Sequence, residues 1–217
     1  MGELTADEAA AIERAIAALE ARVGVQVVAA VVPRSDGYPE LAWRAFALGA
    51  AVAALVALVV DVARPEWISP SALLAQALAI LAAGCLSGGL AWFWPAYARL
   101  FLGAMRAAGE VRQYAEALFL SRELFATPRR DALLVVVSRF ERRVVILPDR
   151  FYRERVTADE WQLAVDRMTP LMKLGRVGEA FIAGLSAIEG LLAGKDIRRD
   201  GSASNALPDA LLRGEAP

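Results

Sequence analysis

Residues 45–60 read AFALGAAVAALVALVV, a run without a charged side chain. Continuing past a lone Asp61 to residue 63 gives close to the ~20 residues that a helix needs to cross a bilayer. A buried core hairpin of a soluble protein is the alternative, but its helices would carry a polar stripe, which this run lacks. The stretch therefore predicts a transmembrane helix.

A second uncharged run, residues 67–98, predicts a second span. Between the two, residues 61–70 read DVARPEWISP, and their charges and two prolines predict a connecting loop outside the hydrocarbon. Trp67 is expected at one membrane interface, and the aromatic residues expected at the other are Trp43, Trp92, Trp94 and Tyr97. Residues 39–104 are thus interpreted as a transmembrane helical hairpin.

The distribution of arginines predicts the orientation of this hairpin. Arg64 is the one arginine of the loop, whereas the flanking segments carry Arg34, Arg44, Arg99, Arg106 and Arg112. By the positive-inside rule, both flanking segments are expected in the cytoplasm, attached to an inner or plasma membrane.

The composition excludes several kinds of chemistry. The 217 residues include no histidine and one cysteine, Cys85, so zinc sites, Ser–His–Asp or Cys–His nucleophiles and disulfide frameworks are not available. A net charge of −1 gives no broad basic face, so nucleic acid is not an expected partner. No cofactor follows from the residues themselves.

The segments on either side of the hairpin are predicted to fold together. Thr5 and Glu8 form a capping box that predicts a helix over residues 6–22, and the apolar run VQVVAAVV at residues 25–32 predicts a buried strand. One helix and one strand cannot cover the strand's edges, so its neighbours must follow the hairpin.

Those neighbours are predicted after residue 104. A helix is expected through residues 114–125, a β-hairpin from 133–138 and 144–147, a helix after the capping box of Thr157 and Glu160, and a last helix over 178–193. We predict an α/β fold with a small mixed sheet sandwiched by helices. Its two parts are residues 1–38 and 105–194, and the polar composition of residues 195–217 predicts a disordered tail.

This order resembles the TPM domain family. The resemblance rests on RVGVQVVAAVV at 22–32, TPRRDALLVVV at 127–137, RRVVIL at 142–147 and GRVGEAFIAGL at 175–185. Similar proteins include a thylakoid protein associated with photosystem II repair, with weak acid phosphatase activity, and an auxiliary subunit of a neuronal receptor channel. The resemblance implies a membrane-anchored domain that binds or assists a membrane-protein client, with a phosphatase of the TPM type as the alternative.

Four acidic residues at predicted strand ends are the candidate metal ligands: Asp36, Asp131, Glu141 and Asp149. Some TPM proteins bind calcium through clustered acids, so the resemblance implies calcium as the candidate cofactor. Two family positions differ here, as RDA at 130–132 and SRFE at 138–141, and the arginines in place of acids weaken a cation site. The alternative for each acid is a turn or solvated residue.

Two further patterns have a structural and a functional interpretation. The basic run of Arg139, Arg142, Arg143, Arg150, Arg153 and Arg155 is predicted to be solvated or paired with Glu141 and Glu154, or else to contact anionic lipid. Gly84 and Gly88 are predicted to permit close packing within the hairpin, in preference to dimerisation.

Overall fold

The computed structural model describes residues 4–64, 69–195, 197 and 211–214. The described helices are α1 (Ala6–Val23), α2 (Pro39–Ala63), α3 (Pro70–Phe93), α4 (Pro95–Ala98), α5 (Ala104–Ser121), α6 (Arg150–Arg153), α7 (Ala158–Lys173) and α8 (Val177–Gly194). The described strands are β1 (Gln26–Val32), β2 (Ala132–Ser138), β3 (Arg143–Pro148) and β4 (Leu212–Arg213). The chain divides into two units, one formed by residues 1–36 with 105–217 and the other by residues 37–104.

The unit of residues 37–104 is a helical hairpin whose surface is apolar. Helices α2 and α3 are long and apolar enough to cross a membrane, with mean hydropathies of 2.4 and 1.8. Their large apolar side chains point outward; Leu55 and Leu81, for example, are 62% and 54% exposed. The prediction of two helices suited to a membrane is therefore confirmed. Trp67 and residues 65–68 of the predicted loop lie outside the described residues.

Small residues allow α2 and α3 to pack closely. A Cβ at Gly84 would lie 2.8 Å from the ring of Phe46, and one at Gly88 would lie 3.2 Å from the carbonyl oxygen of Ala42. The Ser87 hydroxyl donates to the carbonyl oxygen of Ala45 at 2.7 Å, which satisfies a polar group within an apolar surface. Gly84 and Gly88 therefore serve packing within the hairpin, as predicted.

The sheet of the other unit has the order β3-β2-β1-β4. β1 pairs in parallel with β2 along its whole length, from Gln26 opposite Ala132 to Val32 opposite Ser138. β2 and β3 form the predicted antiparallel hairpin. The sheet is thus mixed, and among the described strands β3 lies at one edge.

Helices cover both faces of this sheet because the side chains of a strand alternate between faces. Val27, Ala29 and Val31 of β1 belong to the larger core, together with α1, α7 and α8. Val28 and Ala30 of β1 belong to the smaller core, in which Ala115 of α5 takes part. The predicted α/β sandwich is confirmed.

Two local features of this unit differ from a simple reading of the sequence. Helix α8 is also apolar enough to cross a membrane, with a mean hydropathy of 1.4, but its Phe181 and Ile188 are fully buried in the larger core. Leu212 and Arg213, within the segment predicted to be disordered, form β4 beside Ala30 and Val31. The disorder prediction therefore does not hold for residues 211–214, and most of the rest of that segment lies outside the described residues.

Candidate functional site

The four predicted metal ligands lie at two opposite ends of the sheet. Asp36 and Glu141 follow β1 and β2, whose carboxyl ends are together because Val32 lies opposite Ser138. Asp131 precedes β2 and Asp149 follows β3, at the end where Leu133 lies opposite Pro148. A seven-residue strand separates the two pairs, which corresponds to about 20 Å at ~3.3 Å per residue. One site cannot contain all four.

Glu141 joins the β2–β3 turn to the loop that follows β1. One of its carboxylate oxygens accepts a hydrogen bond from the amide of Ser35 at 2.9 Å, and the hydroxyl of Ser138 donates to the other. The turn is also held by the Arg139 amide, which donates to the carbonyl oxygen of Val32 at 3.0 Å. Glu141 is 8% exposed, so this buried carboxylate stabilises the loop pair.

Asp36 forms an ion pair with Arg106 of α5. Nη2 of Arg106 lies 3.3 Å from Oδ2 of Asp36 and 3.5 Å from Oε1 of Glu110. These side chains are partly exposed, so the pair has the character of a surface ion pair.

Asp149 is bound by an arginine at the other end of the sheet. Nε and Nη2 of Arg130 donate to the two oxygens of Asp149 at 2.9 and 3.1 Å, and the amide of Arg150 donates to Oδ1 at 2.7 Å. The side-chain hydrogen bond with Asp149 raises the pKa of Arg130 above its ordinary value. Neighbouring Asp131 is 2% exposed, and its amide donates to Oγ1 of Thr127 at 3.2 Å.

These contacts do not fit a calcium site built from the four acids. Calcium takes six to eight oxygen ligands and is repelled by an adjacent guanidinium, whereas both oxygens of Asp149 are bound by Arg130. Among the residues that the structure describes, no three acids, cysteines or histidines are grouped as metal ligands. Calcium binding stays a prediction from the family resemblance.

The basic run is divided among several local contacts. Nε of Arg150 pairs with Glu154 at 2.8 Å, so the predicted pairing with Glu154 is confirmed. The guanidinium of Arg155 lies 4.0 Å from the centre of the Phe151 ring. Nη2 of Arg153 donates to the carbonyl oxygen of Pro148 at 3.3 Å.

A groove of about 1560 Å³ follows the free edge of β3. All six residues of β3 line it, Arg112, Phe119 and Leu120 of α5 form part of one wall, and Trp161, Val165 and Lys173 of α7 form part of the other. The floor of the groove is therefore the edge of a β-sheet, flanked by one helix of each layer.

The groove was not predicted, although the sequence contains a signal for its edge strand. Pro148 within a β3 pattern indicates an edge strand, because proline has no amide hydrogen to donate to a neighbouring strand. The arginines around β3 were predicted as a basic run along the chain but not as the rim of a groove. Their convergence depends on α5 and α7, which are distant from β3 in the chain.

Comparisons with known proteins agree with the fold. The family model described as the TPM domain matches residues 104–191. The NMR structure of the BA42 protein from the psychrophilic bacterium Bizionia argentinensis is similar, with a TM-score of 0.58 and 14% identity over 98% of this chain and 97% of that chain. At this identity the likeness concerns the fold alone.

No curated protein matches the chain. The family match begins at residue 104, but α1 and β1 belong to the same unit as the matched residues, and β1 pairs with β2 along its length. Residues 104–191 therefore match the TPM domain model, and the structural likeness supports the same fold for the unit that contains them.

Proposed function

We propose that this protein is a membrane-anchored TPM domain that binds or assists another protein of the same membrane, in assembly, repair or an auxiliary role. The observation that carries the proposal is the hairpin of α2 and α3, which exposes apolar side chains around nearly its whole surface. Such a surface is stable in a bilayer and not in water.

The hairpin lies within the domain sequence, between β1 and α5, and not at one end of it. The polypeptide passes between the units twice, near residues 36–37 and 104–105. Two covalent connections tether the domain to the hairpin, so a protein of the same membrane is a readily available partner. The excess of arginine in the flanking segments favours the cytoplasmic side.

Photocrosslinking in native membranes tests this proposal. A photoreactive amino acid is placed at Leu120 or at Leu163, which are 63% and 65% exposed on α5 and α7. We expect at least one position to give a reproducible adduct with a protein that stays in the membrane after carbonate extraction. Adducts with soluble proteins alone, or with this chain alone, would contradict the proposal.

A phosphatase is the second candidate function, because the matched family model carries the name TPM phosphatase. The arginines around the β3 groove are also of the kind that binds phosphate. Asp131 is buried and follows Arg130, a residue of the groove lining, so its replacement tests an acid close to these arginines. If detergent-purified protein hydrolyses p-nitrophenyl phosphate and Asp131→Ala abolishes turnover while the protein stays folded, the phosphatase becomes the leading function.

A further inference from the structure

We infer that the free edge of β3 binds an extended, acidic segment of a partner protein, which adds to the sheet as a further strand. This inference rests on the proposed function, which supplies the partner, and adds to it the site and the chemistry of recognition. It concerns the groove between α5 and α7, whose floor is β3.

The backbone groups of β3 point in two alternating directions, and one set is available to an added strand. In an antiparallel pair, hydrogen-bonded residues alternate with residues whose amide and carbonyl groups point away from the neighbouring strand. The amide of Asp149 donates to the carbonyl oxygen of Ala132 at 2.9 Å, which fixes this alternation. Leu147, Val145 and Arg143 then bond to β2, whereas Val144 and Ile146 direct their backbone groups into the groove.

These outward groups have no partner in the described part of the chain. Among the described residues, the amides of Val144 and Ile146 donate no hydrogen bond to a group outside the sheet. They are two positions apart along the strand, so they repeat at about 6.6 Å, which is the spacing at which an added strand presents matching groups. Unpaired backbone groups at the edge of a sheet commonly form hydrogen bonds with an extended peptide.

The shape of the groove also fits an added strand. Phe119 and Leu120 of α5 lie on one side of β3, and Trp161 and Val165 of α7 lie on the other. An added strand would direct alternate side chains toward these two apolar walls. The groove is therefore suited to a peptide in β conformation, and a membrane surface cannot enter it in this way.

The charge of the groove lining indicates the kind of segment that binds. Arg112 and Arg130 are paired with Glu116 and Asp149, respectively. The lining as a whole carries four acids and six cations, the cations being Arg112, Arg130, Arg142, Arg143, Arg153 and Lys173. Arg142 immediately precedes β3, and Arg153 contacts its last residue, Pro148.

This excess of positive charge disfavours pairing with the same edge of a second copy, because like charges would be opposed. It favours a segment that carries glutamate or aspartate. The occupant is therefore an acidic strand of another protein.

The test uses full-length protein in nanodiscs and a capped eight-residue peptide of alternating glutamate and valine, labelled for fluorescence anisotropy. We expect it to bind at least about tenfold more tightly than the same peptide with lysine in place of glutamate. Two further peptides carry N-methyl groups on alternate amides, in one register or the other. We expect one isomer to lose binding about tenfold or more, because its edge-facing amides cannot donate, while the other binds like the parent.

Protein variants locate the site. Lys173→Glu, at the groove, should weaken binding of the glutamate peptide about tenfold, whereas Arg167→Glu makes the same charge change on the same helix outside the lining and should leave binding unchanged. Equal binding of the glutamate and lysine peptides, equal binding of both methylated isomers, or equal effects of the two variants would overturn the inference. So would a lack of binding at millimolar peptide.

Crosslinking distinguishes failure of this inference from failure of the proposed function. If a membrane protein is captured and its yield is the same in Lys173→Glu, the proposed function stands and the β3 site is wrong. The inference also fails if the protein binds phosphatidylserine vesicles in place of the peptide and Lys173→Glu weakens that binding. The basic residues of the groove would then bind lipid.

Discussion

Glu160 receives hydrogen bonds from two directions at the start of α7. Its carboxylate accepts from the Lys195 ammonium at 2.8 Å and from the amide of Thr157, also at 2.8 Å. The Lys195 hydrogen bond and, after it, the Thr157 amide lower the pKa of Glu160 from 4.5 to about 2. One side chain thus links the helix cap to the end of α8.

This shift predicts a pH-dependent contribution to stability. Because the folded-state pKa of Glu160 is below its ordinary value, the ionised group stabilises the fold above about pH 4.5, and this contribution is lost as the pH falls toward 2. We expect Glu160→Gln to lower the Tm at pH 7 and to differ less from the wild type as the pH is lowered through this range.

Thermal unfolding followed by circular dichroism at a series of pH values measures the effect. Asp159→Asn, which removes the same charge in the same helical turn but lacks the Lys195 hydrogen bond, is the matched control and should lower the Tm less. A Tm difference for Glu160→Gln that persists unchanged at pH 2 would contradict this assignment.

At the scale of elements, α8 offers two glycines with opposite expectations. A Cβ at Gly184 would lie 2.7 Å from Cγ of Met168, which is fully buried and cannot move aside freely. Gly184→Ala should therefore lower the free energy of unfolding by about 1–3 kcal/mol through overpacking. Gly190 has no neighbour within 4 Å, so Gly190→Ala should raise it by roughly 0.5–1 kcal/mol.

Chemical denaturation of the two variants in the same detergent gives this comparison. Because both changes add one methyl group to the same helix, they share any effect of helix propensity, and the difference in sign comes from packing against α7. The assignment of Gly184 as a close contact is wrong if both variants gain stability.

The membrane hairpin allows a similar comparison. Gly84→Leu would place a side chain where the Phe46 ring lies, whereas Gly89→Leu points into open space. We expect Gly84→Leu to separate α2 from α3 and to lower the Tm of the detergent-purified protein, while Gly89→Leu leaves it within error. Energy transfer between labels on the two helices should fall for Gly84→Leu alone; equal transfer in both variants would argue against the packing role.

The sequence predicted elements best where the signal is local. The capping boxes of Thr5 and Thr157 are both present, and they begin α1 and α7. The two-residue strand β4 was not predicted, because Leu212 and Arg213 have no local strand pattern and are ordered by contact with a strand far away in the chain. Short pairings of this kind depend on tertiary structure more than on propensity.

The candidate site was harder to predict than the fold. The four acids are correctly placed at strand ends, but which ends lie together depends on whether β1 and β2 run parallel, and the sequence alone did not decide this. The contact of Glu141 with the amide of Ser35 likewise joins loops that are distant in the chain. The outward direction of the backbone groups of Val144 and Ile146 follows from the register of β3 against β2. A shift of one residue in this register would reverse that direction.

At the scale of the whole molecule, the orientation of the hairpin can be tested directly. In a Cys85→Ser background, cysteines are introduced at exposed Ala10 or at Arg64, which ends α2. If the flanking segments are cytoplasmic, a membrane-impermeant maleimide added to intact cells should label Arg64→Cys and not Ala10→Cys. Labelling of Ala10→Cys alone would indicate the opposite orientation. Equal labelling of both variants would contradict the prediction of two spans.

The parallel pairing of β1 with β2 has a consequence for biosynthesis. Gln26 leaves the ribosome early, but its partner Ala132 follows only after α2 and α3 have been made. Closure of the long connection between these strands costs entropy, and insertion lowers this cost because it brings the two ends of the hairpin to the same side of the bilayer. Insertion of the hairpin into the bilayer would then promote the pairing of β1 with β2. Without insertion, β1 would stay an unpaired apolar strand, which quality-control proteases can recognise.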